Sequence, residues 1–136
     1  MKITILLASV SVVFLLSIGP GTDIPAPRTN PAPGLVREVT AYNVGVRGQT
    51  SDDPCIGATG RNLCRLVARG LKVCAANFVD PETILHIEGY GECIVLDRMN
   101  RRFAHRVDIA MRKDEVGKAL GFGIQQRYVE VSPGRP

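Results

Sequence analysis

The strongest limit on this chain is how little of it is left to fold. After Met1-Lys2, the stretch from Ile3 to Ile18 is mostly apolar and carries no charge, and Gly19 to Gly34 (GPGTDIPAPRTNPAPG) is rich in proline, glycine and polar residues with no apolar period. One lysine ahead of a short apolar block is the pattern of a secretory leader or an N-terminal membrane anchor, here over residues 1–18. Residues 19–35 are expected to be an extended tether. Folded material is therefore expected over residues 36–131, with 132–136 as a tail. A domain of about 95 residues buries proportionally little surface and is marginal without help.

Four cysteines, Cys55, Cys64, Cys74 and Cys93, can supply that help. An even count in a small exported domain favours disulfides, and three pairings are open. The spacings of nine, ten and nineteen residues, with no C-x-x-C, do not match zinc ligands. His86 and His105 have no third ligand placed with them, and no phosphate-cradling loop is present, so no metal and no cofactor is expected. The formal net charge is +4, with a local cluster at Arg98, Arg101 and Arg102. No recognition helix or stacking sheet accompanies it, so nucleic acid is not the expected partner. A mildly basic exported protein suits an anionic cell wall.

The folded part reads as short strands between glycine-containing turns. Strands are predicted at Val36–Tyr42, Leu71–Phe78, Ile84–Glu88, Glu92–Asp97, Arg106–Met111 and Arg127–Val131. In Arg106–Met111 the residues Val107, Ile109 and Met111 alternate with Arg106, Asp108 and Ala110, which puts Asp108 opposite the apolar face. Asn43 to Arg65 is expected to be a long, stapled loop. Lys113 to Leu120 switches to helical period, with Val116, Ala119 and Leu120 on one side and Gly121 at the C-terminal cap position. Six strands and one late helix predict a mainly β fold closed into a small barrel. No internal repeat is visible in the sequence.

The chemistry falls to the carboxylates. No serine–histidine or cysteine–histidine hydrolase motif is present. Asp97 ends an apolar strand and Asp108 interrupts a valine–isoleucine strand, positions where a carboxylate costs free energy unless it is paired or functional. The plain alternative is an ion pair with Arg98, Arg106 or another arginine of the cluster.

Six short motifs occur in order: Val39-Thr40-Ala41-Tyr42, Gly57-Ala58-Thr59-Gly60, Val73-Cys74-Ala75-Ala76-Asn77, Gly89-Tyr90-Gly91, Asp97-Arg98-Met99-Asn100 and Arg106-Val107-Asp108-Ile109. Together they resemble the three-aspartate ("3D") domain family. That family is similar to the catalytic domain of membrane-bound lytic transglycosylase A and to stationary-phase survival and resuscitation-type bacterial proteins. The resemblance covers essentially the whole folded part. Where the family carries its first aspartate this chain has Ala76 or Asn77, and Gly57 stands where the family has threonine. The segments Ala75-Ala76-Asn77-Phe78 and Asp97-Arg98-Met99-Asn100 resemble one branch of the family.

The resemblance implies a six-stranded double-psi β-barrel with one short helix near the C-terminus. It also implies cleavage of the β-1,4 bond between N-acetylmuramic acid and N-acetylglucosamine in peptidoglycan, leaving a 1,6-anhydro end. Asp108 matches the acid/base of that reaction, and Asp97 lines the same groove. Thr40, Tyr42, Thr59, Gly60, Arg98 and Asn100 are the candidate substrate-binding residues. The expected partner is the glycan strand, met by a monomer outside the cytoplasm. Two other readings compete: a non-catalytic wall-binding barrel, and a disulfide-stapled module that docks a protein.

Overall fold

A computed structural model describes residues 34–49 and 53–132. The expected leader or anchor and most of the tether and tail lie outside these residues. None of the helices among the described residues is long and apolar enough to cross a membrane.

The strands are β1 (Leu35–Asn43), β2 (Val73–Ala76), β3 (Ile84–Ile87), β4 (Gly91–Asp97), β5 (Val107–Met111) and β6 (Gln125–Ser132). They close into a barrel in the order β1-β5-β2-β4-β3-β6. β1 runs parallel to β5 and β2 parallel to β4, while the other four ladders are antiparallel. The link from β1 to β2 therefore straddles β5, and the link from β4 to β5 straddles β2. Two such crossings make the barrel a double-psi one. Exchanging β1–β3 with β4–β6 returns the same cyclic order and the same strand directions, a two-fold layout that the sequence does not display as a repeat.

Alternation along the strands builds two apolar layers. Inside the barrel lie Val39, Cys74, Ala76, Leu85, Ile87, Cys93, Val95, Val107, Ile109 and Val129. Burying each of the larger aliphatic side chains contributes roughly 2 kcal/mol. A second layer forms outside the barrel wall, where Tyr42, Val73, Ala75, Leu96 and Ala110 meet Leu63 and Val67 of a helix, α1 (Leu63–Ala68). β2 is buried along its whole length because it is covered on both faces. A strand buried on both sides reads as an uninterrupted apolar run, as Val73-Cys74-Ala75-Ala76 does.

α1 lies partly in the stretch expected to be loop. Asn62 caps it, its side chain accepting from the Arg65 N–H at 2.9 Å, and Leu63 and Val67 are the buried pair one turn apart. The expected C-terminal helix is present as α2 (Val116–Phe122), which packs on β1. It runs past Gly121 and ends at Gly123, whose φ of +62° is cheap only for glycine. Leu120 is 76% exposed, so the buried stripe of α2 narrows to Ala119. Of the three open cysteine pairings the structure has Cys55–Cys64 and Cys74–Cys93. The first staples the segment leading into α1. The second crosses the barrel interior.

Candidate functional site

One rung of the barrel brings the two aspartates together. Thr40 of β1 pairs with Asp108 of β5, Asp108 with Ala75 of β2, and Ala75 with Asp97 of β4. Neighbouring strands are about 4.8 Å apart, so the two aspartate backbones are roughly 10 Å apart with a methyl group between them. The rung exists because of a β-bulge. Opposite Cys74 sits Val95, but opposite Ala75 sits Asp97, so Leu96 is the extra residue. With plain alternation from Val95, which points inward, Asp97 would enter the barrel; the bulge re-aims it to the outer face.

The two carboxyls are held differently. Asp97 accepts three hydrogen bonds: from the Tyr42 hydroxyl at 2.9 Å, from the Ala58 N–H at 2.9 Å and from the Arg98 N–H at 2.9 Å. Asp108 accepts one among the described residues, from the Thr40 hydroxyl at 2.8 Å. Burial pushes Asp108 up to about 6, and the charge of Asp97 adds to that; the Thr40 bond and the Arg106 charge pull the other way. Burial and the same two carboxylates also hold the Tyr42 phenol neutral, well above its ordinary value.

The arginines that could have neutralised these aspartates are engaged elsewhere. Arg106 grips Glu38 through Nε at 3.0 Å and Nη2 at 2.6 Å. The Arg98 guanidinium donates to the carbonyls of Ala76 and Val79. Among the described residues neither aspartate stands in a salt bridge. The ion-pair alternative therefore does not describe this geometry.

Two loops frame the rung. The turn Gly57-Ala58-Thr59-Gly60 lies against the end of β4. A Cβ on Gly57 would stand 2.8 Å from the Leu96 carbonyl, so only glycine lets the Ala58 N–H reach Asp97. Thr59 donates its hydroxyl to the Leu96 carbonyl at 3.0 Å. On the other side Asn77 grips Met99, accepting from its N–H at 3.0 Å and donating to its carbonyl at 3.0 Å. An aspartate there could only accept. Asn77 is thus a positioning residue for the Met99-Asn100 loop.

Between the loops lies an open cleft of about 520 Å³. Five of the sequence-predicted site residues line it: Tyr42, Asp97, Arg98, Asn100 and Asp108. Thr40 stands behind Asp108 and touches the site only through it. Thr59 borders a side cavity with Asp97 and Arg98, and Gly60 serves the turn. Ala75, Met99, Phe103, Gln49 and Ile56 also line the cleft and were not predicted. Ala75 and Met99 carried a signal, since both sit inside the quoted motifs. Gln49 and Ile56 lie in the expected loop and carried none.

Chemically, the arrangement offers one partly desolvated carboxyl able to hold a proton near pH 6, a second carboxylate fixed by three donors, and the polar side chains of Asn100 and Gln49 in the same lining. Among the described residues no group of three or more acidic, histidine or cysteine side chains could hold a metal ion. No protein-family model matches the chain, and the curated proteins give no match to it.

Proposed function

We propose that the cleft cleaves the N-acetylmuramic acid–N-acetylglucosamine bond of peptidoglycan, with Asp108 as the single acid and base. Protonated Asp108 donates to the glycosidic oxygen as the bond from the anomeric carbon breaks. The C6 hydroxyl of the same sugar then attacks that carbon and returns its proton to Asp108. The new C1–O6 bond closes a 1,6-anhydro ring, and no water is consumed. One carboxyl with a raised pKa suffices for such a sequence, whereas a hydrolase needs a second in a fixed role.

The observation that carries this reading is the contrast at the rung. Among the described residues Asp108 is largely desolvated, pushed up to about 6, accepts one hydrogen bond and stands in no salt bridge, while Asp97 beside it accepts three hydrogen bonds. Strongly raised carboxyls in a cleft mark acid–base sites. The motif resemblance, independent of this geometry, names the bond. Export follows as part of the proposal: disulfides belong to oxidising compartments, and the apolar stretch from Ile3 to Ile18 reads as a leader or anchor.

Incubation of the full chain with purified sacculi tests the proposal, with released muropeptides resolved by mass. Anhydro-ended products are expected, formed fastest at or below about pH 6 and more slowly as Asp108 loses its proton above it. Asp108→Asn is expected to lower their yield by about 10²–10⁴. Retention on insoluble peptidoglycan with no anhydro product at any pH would assign the cleft to glycan binding alone.

A further inference from the structure

The turn that forms one wall of the cleft is unusually basic. Arg98 to Arg106 (RMNRRFAHR) contains four arginines, one histidine and no acidic residue. Two of these arginines are spoken for: Arg106 by Glu38, and Arg98 by two backbone carbonyls. Arg101 and Arg102 remain, both exposed on a 3-10 turn (Arg101–Phe103), and neither has an acidic partner among the described residues. Phe103 ties Arg102 to the site. Its ring lines the cleft and carries the Arg102 guanidinium 4.7 Å from its centroid, with Arg106 at 4.4 Å. Arg102 thus lies one aromatic ring away from the cleft, and Arg101 is its neighbour on the same exposed turn.

Neutral sugar hydroxyls have no need of such cations, and the two aspartates do not bond to them. What they fit is an anionic group carried beside the glycan. In peptidoglycan the peptide hangs from the lactyl ether of the muramic ring, the ring whose anomeric carbon is attacked, and it carries free carboxylates. We infer that Arg101 and Arg102 anchor the peptide carboxylates of the strand lying in the cleft, so that peptide-bearing glycan is preferred to bare glycan. This rests on the glycan-cleaving reading above.

The test is a binding measurement on the full chain carrying Asp108→Asn, so that the strands stay intact. Three soluble ligands are compared: peptide-bearing strands, strands stripped of peptide, and peptide-bearing strands whose carboxyls have been amidated. Native peptide-bearing strands are expected to bind roughly fivefold more tightly than the other two, the size of two exposed charge pairs. The preference is expected to shrink with added salt. Adding Arg101→Gln and Arg102→Gln is expected to remove it, with the far-ultraviolet spectrum confirming the fold. Equal binding of all three ligands, or a preference that survives the double substitution, overturns the arginine anchor alone. No binding of any strand overturns it together with the glycan reading.

Discussion

Under the exchange of β1–β3 with β4–β6, the central rung maps onto itself: Asp108 falls on Ala75, and Asp97 falls on Thr40. The first half of the barrel presents a methyl group and a hydroxyl where the second presents two carboxyls. The first half in turn supplies what the second needs, with Thr40 donating to Asp108 and Tyr42 to Asp97. The layout is shared and the chemistry is not. One half carries the charge, and the other stays neutral enough to keep it partly desolvated. A carboxyl at Ala75 as well would put three on one rung.

Ala75→Asp breaks the comparison most severely. Position 75 is 2% exposed, between Asp97 and Asp108, and among the described residues no cation salt-bridges either of them. Burial and like charge raise its pKa, so the folded state is destabilised once the group ionises. A loss of about 3–5 kcal/mol is expected above pH 6, recovered as the pH falls and the group is protonated. Urea midpoints across pH check this, and an unchanged midpoint at pH 7 would show that the neutral half is not required.

Asp108→Asn sharpens it. Because the folded-state value of Asp108 lies above its unfolded value of 3.8, the folded protein holds an extra proton between about pH 4 and 6. Wild-type stability therefore declines as pH rises through that window, by up to about 3 kcal/mol. The asparagine variant lacks this decline. It is expected to be the more stable protein at pH 7 and no more stable at pH 3.5, while losing activity. Thermal melts at the two pH values decide the sign.

Tyr42→Phe is the mildest change. It removes one of three donors from Asp97 and leaves a partly buried acceptor, a cost of about 1 kcal/mol in the denaturation midpoint.

The strands are legible because short apolar or alternating runs stand between glycine-containing turns, and the ends of all six lie within two residues of those expected. α1 was hidden because Leu63, Leu66 and Val67 follow Cys55, Gly57 and Gly60, which argue for loop more loudly than one helical turn argues against it. Its signal was Asn62 just before Leu63. Gly121 misled because two glycines close α2 and only the second adopts positive φ. At the site, Asp97 and Asp108 could be singled out as misfits in apolar strands, but not placed. Their meeting depends on a bulge at Leu96, and their freedom from arginine depends on Glu38, 68 residues from Arg106. Local spacing contains neither fact.

The Cys74–Cys93 bridge has a consequence for handling the protein. Its sulfurs belong to side chains 0% and 2% exposed inside a closed wall of strands. Thiol–disulfide exchange requires an attacking thiolate to reach one of those sulfurs. A reductant in solution therefore waits for the wall to part, and at saturating concentration the rate of cleavage becomes the rate of opening itself. The bond is a built-in clock for barrel opening, and the half-exposed Cys55–Cys64 bridge in the same molecule marks how fast the reductant works where no wall stands in its way.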